Sequence, residues 1–214
     1  GGNRTSRASR IGQAMRGESG DPDHPMGKTM KTVVVVPVYN ERRTVLSVLD
    51  GLRALGALVS EIVVVEDGSS DGSGEIIAEW ARGKDGVTLI KHPTNRGYSE
   101  ALLTGFRYAI DKVHSGQLSA NDAVATVDAD GQHDPSELPG FLRVMEEQTL
   151  DVVWARRDFS LYPWLKRTGN RMMSIIGSFF AGFHYKDVES GYCVYRIRSQ
   201  ERRVAKKCRT RWEP

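Results

Sequence analysis

From residue 32 onward two hydrophobic rhythms alternate along the chain. Short, largely apolar runs occur at 32–38, 62–65, 87–90, 123–127 and 151–155. A run with no polar alternation reads as a strand buried on both faces, as in a parallel sheet. Between the runs, apolar residues recur every three or four positions, as in Val45, Leu46, Val48, Leu49, Leu52 and Leu55. This is the period of a helix with one buried face. The pattern predicts helices from the Asn40 cap to about 55, over 74–81, over 98–113 and over 135–147, with Pro37 ending the first strand and Gly56 the first helix. Strands alternating with helices predict an α/β fold, a doubly wound, mostly parallel sheet flanked by helices.

The polar motifs cluster where these strands end. Residues 37–41, 66–72 and 128–134 each follow a strand, and ligands of such sheets bind at the carboxyl ends of strands. Asp128 and Asp130 stand at i and i+2, so in extended backbone both carboxylates project to one side. Their repulsion is relieved when a hard cation lies between them, with Gln132 as a neutral oxygen ligand and Gly131 allowing close approach. Mg²⁺ or Mn²⁺ suits such oxygen ligands. Taken alone, the pair fits equally well a solvated turn ahead of the Asp134-Pro135 helix start. An EF-hand is excluded: counting from Asp128, the sixth residue is His133 and the twelfth Pro139, where that loop needs Gly and Glu. No G-x-G-x-x-G follows the first strand, which disfavours a dinucleotide-binding domain.

Composition changes the picture mainly at the two ends. Of 214 residues, 39% are hydrophobic, and the net charge is +3. Residues 1–31 hold six Lys/Arg against three Asp/Glu, and residues 196–214 hold eight against two. The body therefore carries about −6, which does not fit a nucleic-acid binder. Residues 1–31 have no apolar periodicity and read as a disordered leader or a remnant outside the domain. Residues 32–196 form the domain, and 197–214 form a basic tail that can be the cut end of a longer chain. Cys193 and Cys208 make no disulfide framework and fit a reducing compartment. The longest nearly apolar run, 172–183, is too short to span a bilayer. The segment 162–183 places Lys166, Arg167 and Arg171 ahead of an apolar stretch, either as core or as a surface meeting lipid. The tail is either solvated or set against anionic lipid.

Five motifs then stand in order: VVVVPVYNE, VVVEDGSSDGS, NRGYSEALLTGFRYA, TVDADGQHDP and DVESGYCVYR. Over residues 32–196 the chain resembles family 2 glycosyltransferases of the GT-A fold. Within that family it is most similar to dolichol-phosphate mannose synthases and to bacterial enzymes that load a sugar onto polyprenyl phosphate, chiefly through the form DADxQH. The resemblance implies that Pro37, Tyr39 and Glu41 line the pocket for base and ribose, with Asp67 contacting the base or ribose and Asn95 and Gly97 shaping the floor. It implies that Asp128, Asp130 and Gln132 hold Mg²⁺ or Mn²⁺ on the donor diphosphate. Arg157 takes the place of a basic residue after the strand, and Arg156, Lys166, Arg167 and Arg171 are further cations for an acceptor phosphate. Glu189 or Asp187 would act as base if the acceptor were a hydroxyl.

The expected reaction is inverting transfer of a hexose from a GDP-mannose or UDP-glucose type donor to a polyprenyl or dolichyl phosphate. Its expected place is cytoplasmic, peripheral at the cytosolic face of a membrane, with no nucleic-acid partner. A glycan or small-molecule hydroxyl acceptor stays open, as does a non-catalytic nucleotide-binding module of the same fold. Two departures bear on the acceptor. Cys193 stands where lipid-phosphate enzymes often carry Arg or Lys, and no Gln-x-x-Arg-Trp follows, which argues against processive polysaccharide synthases.

Overall fold

The computed structural model of the protein describes residues 10–15, 30–156 and 192–200. In chain order the strands are β1 (Arg10–Met15), β2 (Thr32–Val38), β3 (Glu61–Glu66), β4 (Val87–Lys91), β5 (Ala123–Thr126), β6 (Val152–Arg156) and β7 (Cys193–Arg196). The helices are α1 (Val45–Arg53), α2 (Ser73–Ala81), α3 (Tyr98–His114) and α4 (Leu138–Glu147), with single 3₁₀ turns at Gly56–Leu58 and Pro135–Glu137. The sheet order is β1-β6-β7-β5-β2-β3-β4. β5, β2, β3 and β4 pair in parallel, whereas β7 runs antiparallel between β5 and β6. Among the described residues, five of the seven strands thus point the same way, as the alternating pattern predicts.

β2 is the central strand, and its sequence explains why. Val33, Val34, Val35 and Val36 are all fully buried. Val34, Val36 and Val38 face a core shared with Val48, Leu49 and Leu52 of α1, Ile77 of α2 and Phe141 and Met145 of α4. Val33 and Val35 face the other side, against Ala101, Phe106, Ala109 and Ile110 of α3. Burying each valine contributes roughly 1.5–3 kcal/mol, so a polar residue at any of these four positions would be strongly disfavoured. Gly105 lets α3 lie close to the strand, since a Cβ there would meet Val35 Cγ1 at 2.3 Å.

Several elements differ from the sequence expectation, beginning with α1, which starts at Val45 with Thr44 rather than Asn40 as its N-cap. Arg10–Met15, expected within a disordered leader, pairs antiparallel with β6 and forms one edge of the sheet, with a register shift between Ile11 and Ala14. Edge pairing runs through backbone groups that β6 leaves open, so it requires no apolar periodicity. β7 lies inside a stretch legible only as a motif, because four residues are too few to show a strand period. Beyond it residues 197–200 are helical and Ile197 is 2% exposed within the α3-side core, so the folded unit runs past residue 196. The expected helix 135–147 opens with a 3₁₀ turn capped by Asp134, which accepts from Ser136 N–H.

Candidate active site

The exits of β2 and β3 are stitched into one rim. Asn40 adopts a left-handed φ of 56°, costly for most residues but tolerable for Asn. It is held there by its N–H donating to Ser69 Oγ at 3.0 Å and by its Oδ1 accepting from Ser70 N–H at 2.9 Å. Glu41 N–H donates to Ser73 Oγ, and Arg42 N–H donates to Asp71 Oδ2. Asp71 also accepts from the Ser73 hydroxyl and N–H, and these bonds, the hydroxyl's foremost, hold its carboxyl below the usual range. The turn residues of EDGSSDGS therefore act as fasteners. Thr44 Oγ1 donates to Glu41 Oε2 at 3.1 Å and fixes that carboxylate at the cleft.

Asp67, one residue past β3, is 2% exposed. Its carboxylate accepts from His92 Nδ1 at 2.6 Å, Arg96 N–H at 3.0 Å and Gly97 N–H at 2.8 Å. Burial pushes its pKa up, but these donors outweigh burial and hold it below the ordinary carboxylate value. Asp67 thereby fastens the loop between β4 and α3 onto the end of β3. Gly68, at φ 71°, makes room for it: a Cβ would meet the Thr94 carbonyl carbon at 2.5 Å. Asn95 Oδ1 also accepts from Gly97 N–H, at 2.9 Å.

Asp128 follows β5, and its Oδ1 accepts from the Tyr98 hydroxyl at 2.9 Å. Burial of that hydroxyl, then the Asp128 charge, push the phenol pKa well up, so Tyr98 stays a donor. Asp130 Oδ1 accepts from Gln132 N–H at 2.9 Å. Pro37, Tyr39, Glu41, Asp67, Asn95, Asp128 and Asp130 all line one cleft of about 310 Å³, completed by Val38, Tyr98, Ala101 and Ala129. All seven come from loops or strand ends that lie far apart in sequence, from Pro37 to Asp130, and parallel pairing in register is what gathers them.

The remaining expected residues are placed differently. Gln132 is exposed and lies outside the cleft lining; its backbone, rather than its amide, meets Asp130. Gly97 sits behind the lining as the turn at φ 89° that starts α3. Arg157, Glu189, Asp187, Lys166, Arg167 and Arg171 lie outside the described residues. Arg156 is the last residue of β6, paired with Arg10. Tyr98 and His92 were missed from the sequence. For Tyr98 the available signal was an aromatic placed directly after the Asn-x-Gly turn; for His92 there was none. His133, beside Gln132 in the same motif, is buried against the Tyr192 ring, 5.4 Å between centroids.

Among the described residues no group of three or more His, Cys, Asp and Glu is arranged to hold a metal unaided. Two carboxylates on one wall of an open cleft fit instead a hard divalent cation that completes its oxygen shell from phosphate and water. An all-oxygen donor set of this kind suits Mg²⁺ or Mn²⁺ over softer metals.

The sequence model of "Glycosyl transferase family 2" matches residues 33–209, most of the chain. The chain belongs to glycosyl transferase family 2. An undecaprenyl-phosphate mannosyltransferase of Micrococcus luteus is 29% identical over 173 residues, covering 78% of this chain and 67% of that protein. A polyprenol monophosphomannose synthase of Mycolicibacterium smegmatis is 27% identical, covering 86% and 68%. Among solved structures, a mannosyltransferase of Pyrobaculum calidifontis in complex with GDP-Man and Mn²⁺ superposes with a TM-score of 0.56 at 20% identity, covering 82% of this chain and 47% of that one. Glucosyl-3-phosphoglycerate synthase of Mycobacterium tuberculosis, with Mn²⁺ and UDP, gives 0.54 at 21% identity, covering 78% and 57%. The chain thus spans about half the length of these two solved relatives. These likenesses establish the GT-A fold of a family 2 glycosyltransferase domain. Among the described residues no helix is long and apolar enough to cross a membrane.

Proposed function

We propose that this domain transfers a hexose from a nucleotide diphosphate donor to a polyprenyl phosphate, with inversion, at a membrane surface. The observation that carries the donor half is the single cleft joining Tyr39, Glu41 and Asp67 to Asp128 and Asp130. One end offers an aromatic ring and hydrogen-bonding carboxylates suited to a base and ribose; the other offers paired carboxylates suited to a cation-bound diphosphate. Asp128 and Asp130 would hold the Mg²⁺ or Mn²⁺. When bound, that cation neutralises charge developing on the leaving diphosphate. The body's net negative charge would otherwise repel such a donor.

The protein's own contribution is placement. Asp67, fixed by three donors, and Asn95 would hold the nucleoside end. In-line attack on the donor's anomeric carbon by an acceptor oxygen, with departure of the nucleoside diphosphate, would invert the configuration. A phosphate acceptor is already ionised and needs no base; it needs cations, and Arg157 with Lys166, Arg167 and Arg171 are the candidates. The names of the Micrococcus and Mycolicibacterium relatives support this acceptor over a hydroxyl.

Calorimetric titration with GDP and with UDP, each with and without Mn²⁺, tests the donor half. One nucleotide should bind tightly only with metal, and Asp128→Asn should abolish both that dependence and sugar transfer. If neither nucleotide binds under any condition, or Asp128→Asn transfers sugar normally, the proposal fails.

A further inference from the structure

Tyr98 is the residue that joins the two ends of the cleft. It opens α3 directly after Gly97, whose N–H lies 2.8 Å from Asp67 Oδ2 at the end of β3. Its hydroxyl then reaches Asp128 Oδ1 at 2.9 Å, just past the end of β5. β2 lies between β3 and β5, so the path Asp67, Gly97, Tyr98, Asp128 arches over the carboxyl end of β2, where Pro37 and Val38 line the cleft. The ring is no core element. Tyr98 is 49% exposed, while the buried face of α3 is supplied by Ala101, Phe106, Ala109 and Ile110. What this position offers is a hydroxyl at a fixed place.

We infer that Tyr98 is a positioning residue of Asp128, orienting its carboxylate for the divalent cation. A carboxylate has about four lone-pair sites. The Tyr98 proton takes one of them on Oδ1, which restrains rotation of the carboxylate. A metal-binding carboxylate that is itself hydrogen-bonded keeps its orientation, and losing such a support typically costs about 10–100-fold in metal affinity. The donated proton also eases the repulsion between Asp128 and Asp130, which share the cleft wall. Because α3 starts at a turn that Asp67 holds, the nucleoside end and the diphosphate end are set by one rigid helix start.

This inference rests on the reading of Asp128 as a cation-holding carboxylate, and the experiment separates the two. Mn²⁺ is titrated into the 214-residue chain in the presence of GDP or UDP, followed by calorimetry and by the electron paramagnetic resonance signal of free Mn²⁺. The parent, Tyr98→Phe and Asp128→Asn are compared. Tyr98→Phe keeps the half-exposed ring and loses one hydrogen bond, so its melting temperature should fall by no more than about 12 °C and its metal-free nucleotide affinity should change little, while its Mn²⁺ affinity falls about 10–100-fold. If Mn²⁺ affinity stays within about twofold while Asp128→Asn abolishes it, the Tyr98 inference is wrong and the metal reading stands. If metal-free and metal-dependent binding fall together, the hydroxyl supports the cleft as a whole and the inference is refuted. If Asp128→Asn binds Mn²⁺ as the parent does, both readings fall.

Discussion

Replacing Gly68 by Ala tests the claim that the loop between β4 and α3 is pressed onto the β3 exit to form the cleft. Two costs apply. Gly68 has φ 71°, and a Cβ in left-handed backbone costs roughly 1–2 kcal/mol. The new methyl would also lie 2.5 Å from the Thr94 carbonyl carbon and 2.6 Å from the Asn95 nitrogen. These are backbone atoms, so no rotamer change relieves the overlap and the loop must move by about 1 Å to reach ordinary contact. That movement stretches the bonds from Arg96 and Gly97 N–H to Asp67, now 3.0 and 2.8 Å. Losing one charge-assisted bond costs about 1.5–3 kcal/mol, for a total near 3–5 kcal/mol. At about 2–4 °C per kcal/mol for a domain of this size, melting should fall by about 6–20 °C. Gly83→Ala is the control, because Gly83 has φ 68° with nothing within 4 Å of a Cβ and carries only the backbone cost. Thermal denaturation followed by circular dichroism, with GDP and UDP titration in Mn²⁺, reads both effects. Should Gly68→Ala melt like Gly83→Ala and bind nucleotide like the parent, the reasoning is refuted.

Two further substitutions probe the core and the buried carboxylate. Gly105→Ala gains about 1 kcal/mol of helix propensity but forces a Cβ against Val35, which is fully buried in the central strand; overpacking of about 1–3 kcal/mol should win, so a raised melting temperature would count against the packing described. Asp67→Asn should destabilise the fold above the ordinary carboxyl pKa of 3.8. Because the folded-state pKa lies lower, the parent's advantage is full above 3.8 and is lost as pH falls below that and through the folded-state pKa. Urea unfolding of both proteins from pH 6 down to about 2 measures this, and a stability gap that stays constant to the acid end would contradict it.

What the chain encodes locally was readable without coordinates. Continuous valines at 33–36 identify the central strand because only burial on both faces tolerates them, and the three-four spacing of Val45, Val48, Leu49 and Leu52 identifies the helix that covers it. Strand–helix alternation places 37–41, 67 and 128–130 at one edge, and the five ordered motifs named the family. These features depend on periods of two to four residues, which sequence displays directly. Long-range pairing has no such period. The insertion of β7 antiparallel between β5 and β6 rests on hydrogen bonds across some 70 residues, such as Cys193 N–H to Thr126 Oγ1. Likewise Asp67 reads as a ligand-facing turn residue, and only the folded chain gives its carboxylate to His92, Arg96 and Gly97. Gln132 reads as a ligand by its spacing, and in the fold its N–H donates to Asp130 while its side chain is exposed. Tyr98 and Asp128 stand 30 residues apart, and their contact arises because α3 begins where Asp67 anchors it, above β2. Local periodicity decided which elements form; the order and register of the strands decided which side chains meet.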